Sequence, residues 1–171
     1  MAEIEDELQT GHAEVTETSD PVTQATTAVE MDSIEVDAPR VGIIMGSKSD
    51  MDVMDGAAKV LREADVSHEV RVMSAHREPE LVAEYCRTAR MRGMQVIIAG
   101  AGLSAALPGV AAAHTDLPVI GVPLSSRLSA MGGLDAILSV MQMPPGVPVA
   151  GVGLDNAKNA GALAVRILGA A

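Results

Sequence analysis

Val41-Gly42-Ile43-Ile44-Met45-Gly46-Ser47-Lys48-Ser49-Asp50 is the stretch on which the fold turns. Its first five residues form a continuous apolar run ending at Gly46, the pattern of a parallel strand covered on both faces. Residues 51–64 follow as a helix, with Met51, Met54, Ala58 and Leu61 on one face and Asp50 or Ser49 available as its N-cap. The same succession of strand, small polar loop and helix then repeats along the chain.

A second strand is expected over about 68–73, where Val70 and Val72 alternate with charged neighbours as in an edge strand. Pro79 suits the first turn of a helix running to about Arg92. Gln95–Ala99 reads as a third strand, Gly100-Ala101-Gly102 as a turn, and Ser104–His114 as a helix. Pro118–Val122 and Val147–Val152 read as the last two strands, with helices over Leu134–Met141 and Asn156–Leu168. Five strands alternating with helices imply an α/β fold with right-handed crossovers: a three-layer α/β/α sandwich on a five-stranded parallel sheet. The expected strand order is flavodoxin-like, 2-1-3-4-5.

The 171 residues carry a formal net charge of −11, and its distribution is uneven. Residues 1–40 hold 11 acidic side chains against Arg40 alone, so residues 41–171 are nearly neutral. The first part is Thr-rich and lacks hydrophobic periodicity, too polar to repay the entropy of ordering. The expected organisation is an acidic, disordered tail over 1–39 and one folded domain over 40–171. The tail is too acidic for a transit peptide and has no apolar core of a signal peptide. No run of 18 apolar residues exists, so no membrane span is expected. The lone Cys86 rules out an internal disulfide, is compatible with a reducing cytoplasm, and is expected as a small buried side chain on a helix. Tyr85 is the only aromatic residue. Without stacking platforms or positive charge, nucleic acid is not an expected partner.

Three loops should meet at the strand C-termini, around the point where the strand order reverses and open α/β sheets bind ligands. They are Gly46–Asp50, Ser74-Ala75-His76-Arg77 and Gly100-Ala101-Gly102. In the first, Gly46 admits close backbone approach, while the hydroxyls of Ser47 and Ser49 and a helix N-terminus suit an anion. It is not a Walker motif, and no Gly-x-Gly-x-x-Gly fingerprint occurs there, which argues against nucleoside triphosphates and dinucleotides. Ser and Asp in that position also serve simply as caps. His76 stands apart from His12 in the tail, His68 near a strand start and His114 near a helix end, for which structural roles suffice. It sits at the ligand end of the sheet beside a guanidinium, and an imidazole both gives and takes protons near neutrality. No His or Cys spacing resembles a zinc pattern, so no metal is expected.

Six motifs occur in order: Gly46-Ser47-Lys48-Ser49-Asp50, Ser74-Ala75-His76-Arg77-x-Pro79, Val96–Gly102, Leu107-Pro108-Gly109, Pro118–Pro123 and Gln142–Val149. With them the chain, from about Arg40 onward, resembles the N5-carboxyaminoimidazole ribonucleotide mutases, class I PurE, the catalytic subunit of phosphoribosylaminoimidazole carboxylase in de novo purine synthesis.

The resemblance implies a cofactor-free isomerase that moves a carboxylate from the exocyclic nitrogen to carbon 4 of the imidazole by releasing and recapturing CO2. It implies His76 as proton shuttle and Ser47, Asp50 and Arg77 as substrate-binding residues. Ser49, Ser74, Gly46, Gly100, Ala101 and Gly102 are further candidates around a nucleotide substrate. It also implies a homo-oligomer, typically an octamer, and a functional link to N5-carboxyaminoimidazole ribonucleotide synthase. Whether Arg77 holds phosphate or carboxylate stays open. The usual bacterial pattern has a histidine where this chain has Ala106, so its role is absent here or is taken by water or Ser104. The related class that carboxylates aminoimidazole ribonucleotide directly with CO2 typically shows Lys in place of Arg77. That favours the mutase over the carboxylase, and over a non-catalytic module binding a phosphosugar or nucleotide on the same fold.

Overall fold

The computed structural model describes residues 38–169, so the segment read as a disordered tail lies outside the described residues except for Ala38 and Pro39. The elements are β1 (Val41–Met45), α1 (Met51–Glu63), β2 (His68–Val72), α2 (Pro79–Thr88), β3 (Val96–Gly102), α3 (Ala106–Ala113), β4 (Val119–Leu124), α4 (Leu134–Met141), β5 (Ala150–Gly151) and α5 (Ala157–Gly169). The strands form one parallel sheet in the order β2-β1-β3-β4-β5. This is the flavodoxin-like arrangement expected from the sequence.

Side chains alternate across a strand, and that alternation builds the two outer layers. Val41, Ile43 and Met45 of β1 and Val96 and Ile98 of β3 pack under α1 and α5 with Met54, Leu61, Ala160 and Ala164. Ile44, Ile97 and Ala99 point the other way, into a second core with Val82 and Cys86 of α2, Leu107 and Ala111 of α3, and Ala136 and Val140 of α4. Burial pushes the Cys86 thiol up to about 11, so it is a packing residue as expected. With a single aromatic residue, the core relies on close approach of small side chains. A Cβ on Gly161 of α5 would stand 2.8 Å from the Ala57 carbonyl oxygen of α1.

β2 lies at the sheet edge, and its charges are organised there. Glu69 accepts from Arg92 at 2.6 Å and from Arg71 at 3.1 Å, while the Arg92 guanidinium lies 4.5 Å from the centre of the Tyr85 ring. Such pairing discourages another strand from adding to the edge.

Four local expectations change. Gly100-Ala101-Gly102 is not a turn but the last part of β3, paired with β4 as far as Gly102 opposite Leu124. The reversal comes one residue later, at Leu103 with φ 56°, and the helix accordingly begins at Ala106 instead of Ser104. β5 is only two residues long: Pro148, inside the expected strand, lacks an N–H donor, and Val147 N donates to the Pro144 carbonyl in a turn at 3.2 Å. Finally, Ser47 caps the first helical turn, its Oγ accepting from Ser49 N at 3.2 Å, whereas Asp50 makes no side-chain cap bond.

Candidate active site

Strand register fixes where the loops emerge. Met45 of β1 pairs with Val72 of β2 and Gly100 of β3, so the chain leaves all three strands at the same sheet end. The cavity there has a volume of about 300 Å³, within the range of small-ligand sites. Gly46, Ser47, Ser49 and Asp50 line it from the first loop, Ser74, Ala75, His76 and Arg77 from the second, and Ala101 and Gly102 from the end of β3.

Each loop is held by its own hydrogen bonds. A short 3-10 turn, Lys48–Asp50, precedes α1, and Ser47 Oγ accepts from both the N–H and the hydroxyl of Ser49, at 3.2 and 2.8 Å. The Ser47 hydroxyl hydrogen is left to point elsewhere, so it can donate to an anion. In the second loop Glu78 N donates to the Ser74 carbonyl at 2.8 Å and Arg77 N to Ser74 Oγ at 3.4 Å. The turn places His76 and Arg77 exposed at the cavity mouth, immediately before Pro79 starts α2. Arg77 Nη2 reaches across to the Gly46 carbonyl at 2.6 Å. Burial pushes the Asp50 carboxyl above its ordinary value, outweighing the hydrogen bonds from Ser49 and the Ser47 backbone and the Arg77 charge. The N-terminal ends of α1, α2 and α3 all approach this cavity, which favours negative charge on a ligand.

Among the sequence candidates, Gly100 does not line the cavity. It is buried between β1 and β4, and Met54 occupies the space a Cβ would need. Its role is close packing. Ser104 also lies outside the lining, while Ala106 is part of it. A fourth wall, not expected from the sequence, is formed by Leu124 at the end of β4 and by Ser125, Ser126 and Leu128 after it, and Leu103 and Leu107 also line the cavity. The signal was available, since β4 ends at the same sheet end and two serines follow it. Among the described residues no group of three or more His, Cys, Asp or Glu could hold a metal ion, and no helix is long and apolar enough to cross a membrane.

The family model described as AIR carboxylase matches residues 40–171. The chain belongs to the AIR carboxylase family. Two relatives called N5-carboxyaminoimidazole ribonucleotide mutase agree closely with it. One, from Pyrococcus abyssi, is 60% identical over 135 residues, covering 79% of this chain and 76% of the relative. The other, from Mycobacterium tuberculosis, is 60% identical over 133 residues, covering 78% and 75%. The crystal structure of Treponema denticola PurE superposes with a TM-score of 0.69 at 33% identity, over 77% of this chain and 81% of that one. The AIR carboxylase match spans the described fold and the cavity, including all four loops.

Proposed function

We propose that this member of the family is an isomerase converting N5-carboxyaminoimidazole ribonucleotide to 4-carboxy-5-aminoimidazole ribonucleotide in purine biosynthesis, with His76 as its proton shuttle. The observation that carries the reading is the meeting of His76 and Arg77 with the Ser47–Asp50 loop around one cavity at the positive ends of three helices. The names of relatives at 60% identity supply the substrate class.

In the forward direction His76, protonated, delivers its proton to the exocyclic nitrogen as the nitrogen–carboxylate bond breaks, leaving CO2 and a neutral amine. The electron-rich carbon 4 of the ring then attacks the retained CO2, and His76 removes the carbon 4 proton. Each half-step leaves the imidazole in the state that the next requires, and no proton is gained or lost overall. Recapture depends on holding CO2 against carbon 4, which the small walls Ala101, Gly102 and Ala106 favour by close approach. Ser47, whose hydroxyl hydrogen is free while Ser49 donates to it, binds an anion with the helix N-terminus, Asp50 accepts from ribose hydroxyls, and Arg77 offers a guanidinium fork to phosphate or carboxylate.

Direct carboxylation of aminoimidazole ribonucleotide with CO2 is the second reading, since it shares the carbon 4 step and the family description. Supplying N5-carboxyaminoimidazole ribonucleotide without ATP, or aminoimidazole ribonucleotide with bicarbonate, separates the two. Rapid conversion of the first supports the mutase, and efficient use of only the second supports the carboxylase.

The pathway role implies a cytoplasmic enzyme fed by an N5-carboxyaminoimidazole ribonucleotide synthase. It acts as a homo-oligomer, and the octamer typical of its relatives is the expected state. In support, Leu134, Leu138 and Met141 fall on one face of α4 and are exposed, and Leu128 and Met131 are 82% and 84% exposed. The domain over 40–171 holds the whole site, and deleting residues 1–38 leaves turnover intact.

A further inference from the structure

The loop leaving β4 and the loop entering α5 are fastened together through one residue. Ser125 N donates to Asp155 Oδ1 at 2.8 Å, and Ser125 Oγ donates to Asp155 Oδ2 at 2.5 Å. The Asp155 N–H in turn donates to the Pro123 carbonyl at 2.9 Å. The neighbouring Leu154 packs on Gly133, where a Cβ would come within 2.8 Å of its methyl carbons. Leu154 and Asp155 thus pin both ends of residues 125–133, whose Ser125, Ser126 and Leu128 form the fourth wall of the cavity.

Asp155 is exposed, lies outside the cavity lining, and has φ 56°. That left-handed conformation suits glycine best, and aspartate adopts it with some strain. If only the bend mattered, glycine would serve. What aspartate adds is a carboxylate, and both of its oxygens are spent on Ser125.

We infer that Asp155 is a positioning residue for substrate binding, holding Ser125 and the wall behind it in the arrangement the nucleotide meets. The inference rests on the mutase reading of the cavity. Both hydrogens of Ser125, on its backbone nitrogen and its hydroxyl, are committed to Asp155. Ser125 therefore faces the cavity as an acceptor only. It suits a donor of the substrate, a ribose hydroxyl or the exocyclic amine, and not the phosphate.

The test compares Asp155→Gly, Asp155→Asn and Ser125→Ala in the full chain, by KM and kcat for N5-carboxyaminoimidazole ribonucleotide, melting temperature, and hydrogen exchange of peptides covering residues 125–133. In Asp155→Gly, KM rises about tenfold with kcat changed by less than about threefold, the size expected for lost charge-assisted hydrogen bonds felt in binding. Exchange in the loop quickens, and the melting temperature holds or rises as the left-handed strain is relieved. Asp155→Asn, which keeps one acceptor and tolerates the same backbone, falls between wild type and Asp155→Gly. A KM for Asp155→Gly within about twofold of wild type, or a loss of activity that only follows a lower melting temperature, overturns the inference. If the unmodified chain converts no N5-carboxyaminoimidazole ribonucleotide, the mutase reading falls by itself. Asp155 is then decided by the same tenfold criterion, applied to calorimetric affinity for aminoimidazole ribonucleotide.

Discussion

Arg77 Nη2 donates to the Gly46 carbonyl oxygen at 2.6 Å, bridging 31 residues of sequence and tying the loop after β2 to the loop after β1. Its guanidinium has further N–H groups left for a ligand, so one side chain both joins the two loops and faces the cavity. Arg77→Lys keeps the charge but loses the planar fork and cannot make both contacts in the same geometry. Its kcat/KM for N5-carboxyaminoimidazole ribonucleotide is expected to fall about 10–100-fold, the range for a hydrogen bond to a charged group. Steady-state kinetics of the variant checks this, and unchanged kinetics would leave Arg77 as a structural tie only.

Asp50 gives a prediction in which stability and function move apart. Burial, opposed by its hydrogen bonds and by Arg77, raises this carboxyl above its ordinary 3.8, so the native state binds the proton more tightly than the unfolded chain. The Asp50 contribution to stability therefore falls as pH rises from 3.8 through the raised value. Asp50→Asn removes the buried charge, so its melting temperature at neutral pH is expected to match or exceed that of wild type while KM increases. Melting curves from about pH 3 to about pH 7 and kinetics on the same preparations test both halves.

Glu69 behaves in the opposite sense. Burial acts to raise its carboxyl, but hydrogen bonds from Arg92, Tyr85 and Arg71 outweigh it and hold the group below its ordinary 4.5. This stability is fully present above 4.5 and is lost as pH falls through the lowered value. Glu69→Gln is expected to destabilise the protein by about 1 kcal/mol at neutral pH, a figure kept small because the cluster is partly solvated. The variant should also show a flatter acid limb in urea denaturation followed against pH.

Gly100→Ala tests the packing beneath the site. The added methyl runs into the fully buried Met54 side chain, so the substitution is expected to destabilise by about 1–3 kcal/mol, the usual size for overpacking. Met54→Ala in the same chain makes room for the methyl. The double variant should therefore be more stable than the two single losses added together predict, as a double-mutant cycle in denaturant would show.

The elements legible in the sequence were those with only one physical solution. β1, β3 and β4 are continuous apolar runs buried on both faces, and Val70 and Val72 among charges marked β2 as the edge. His76, Arg77 and the Ser47–Asp50 loop followed from their place after those strands. What escaped depended on distant partners. Gly100-Ala101-Gly102 looked like a turn because glycine is locally permissive, and only pairing with β4 keeps it extended. Ser125 and Ser126 carry only the signal of following a strand that ends at the ligand end of the sheet, and Ser125 is held there by Asp155, 30 residues away. β5 was overestimated because the apolar residues Val147, Val149 and Val152 outvoted the prolines among and before them.

One imidazole, that of His76, carries both proton transfers in the proposed reaction. The most direct measurement follows conversion of N5-carboxyaminoimidazole ribonucleotide, without ATP, by wild type and by His76→Asn, with circular dichroism to establish that both are folded. Absorbance of the product is a suitable readout, because a chain with one Tyr and no Trp gives little protein signal. Wild type is expected to turn over rapidly and a folded His76→Asn not at all. Normal turnover by that variant would show that His76 is not the proton carrier.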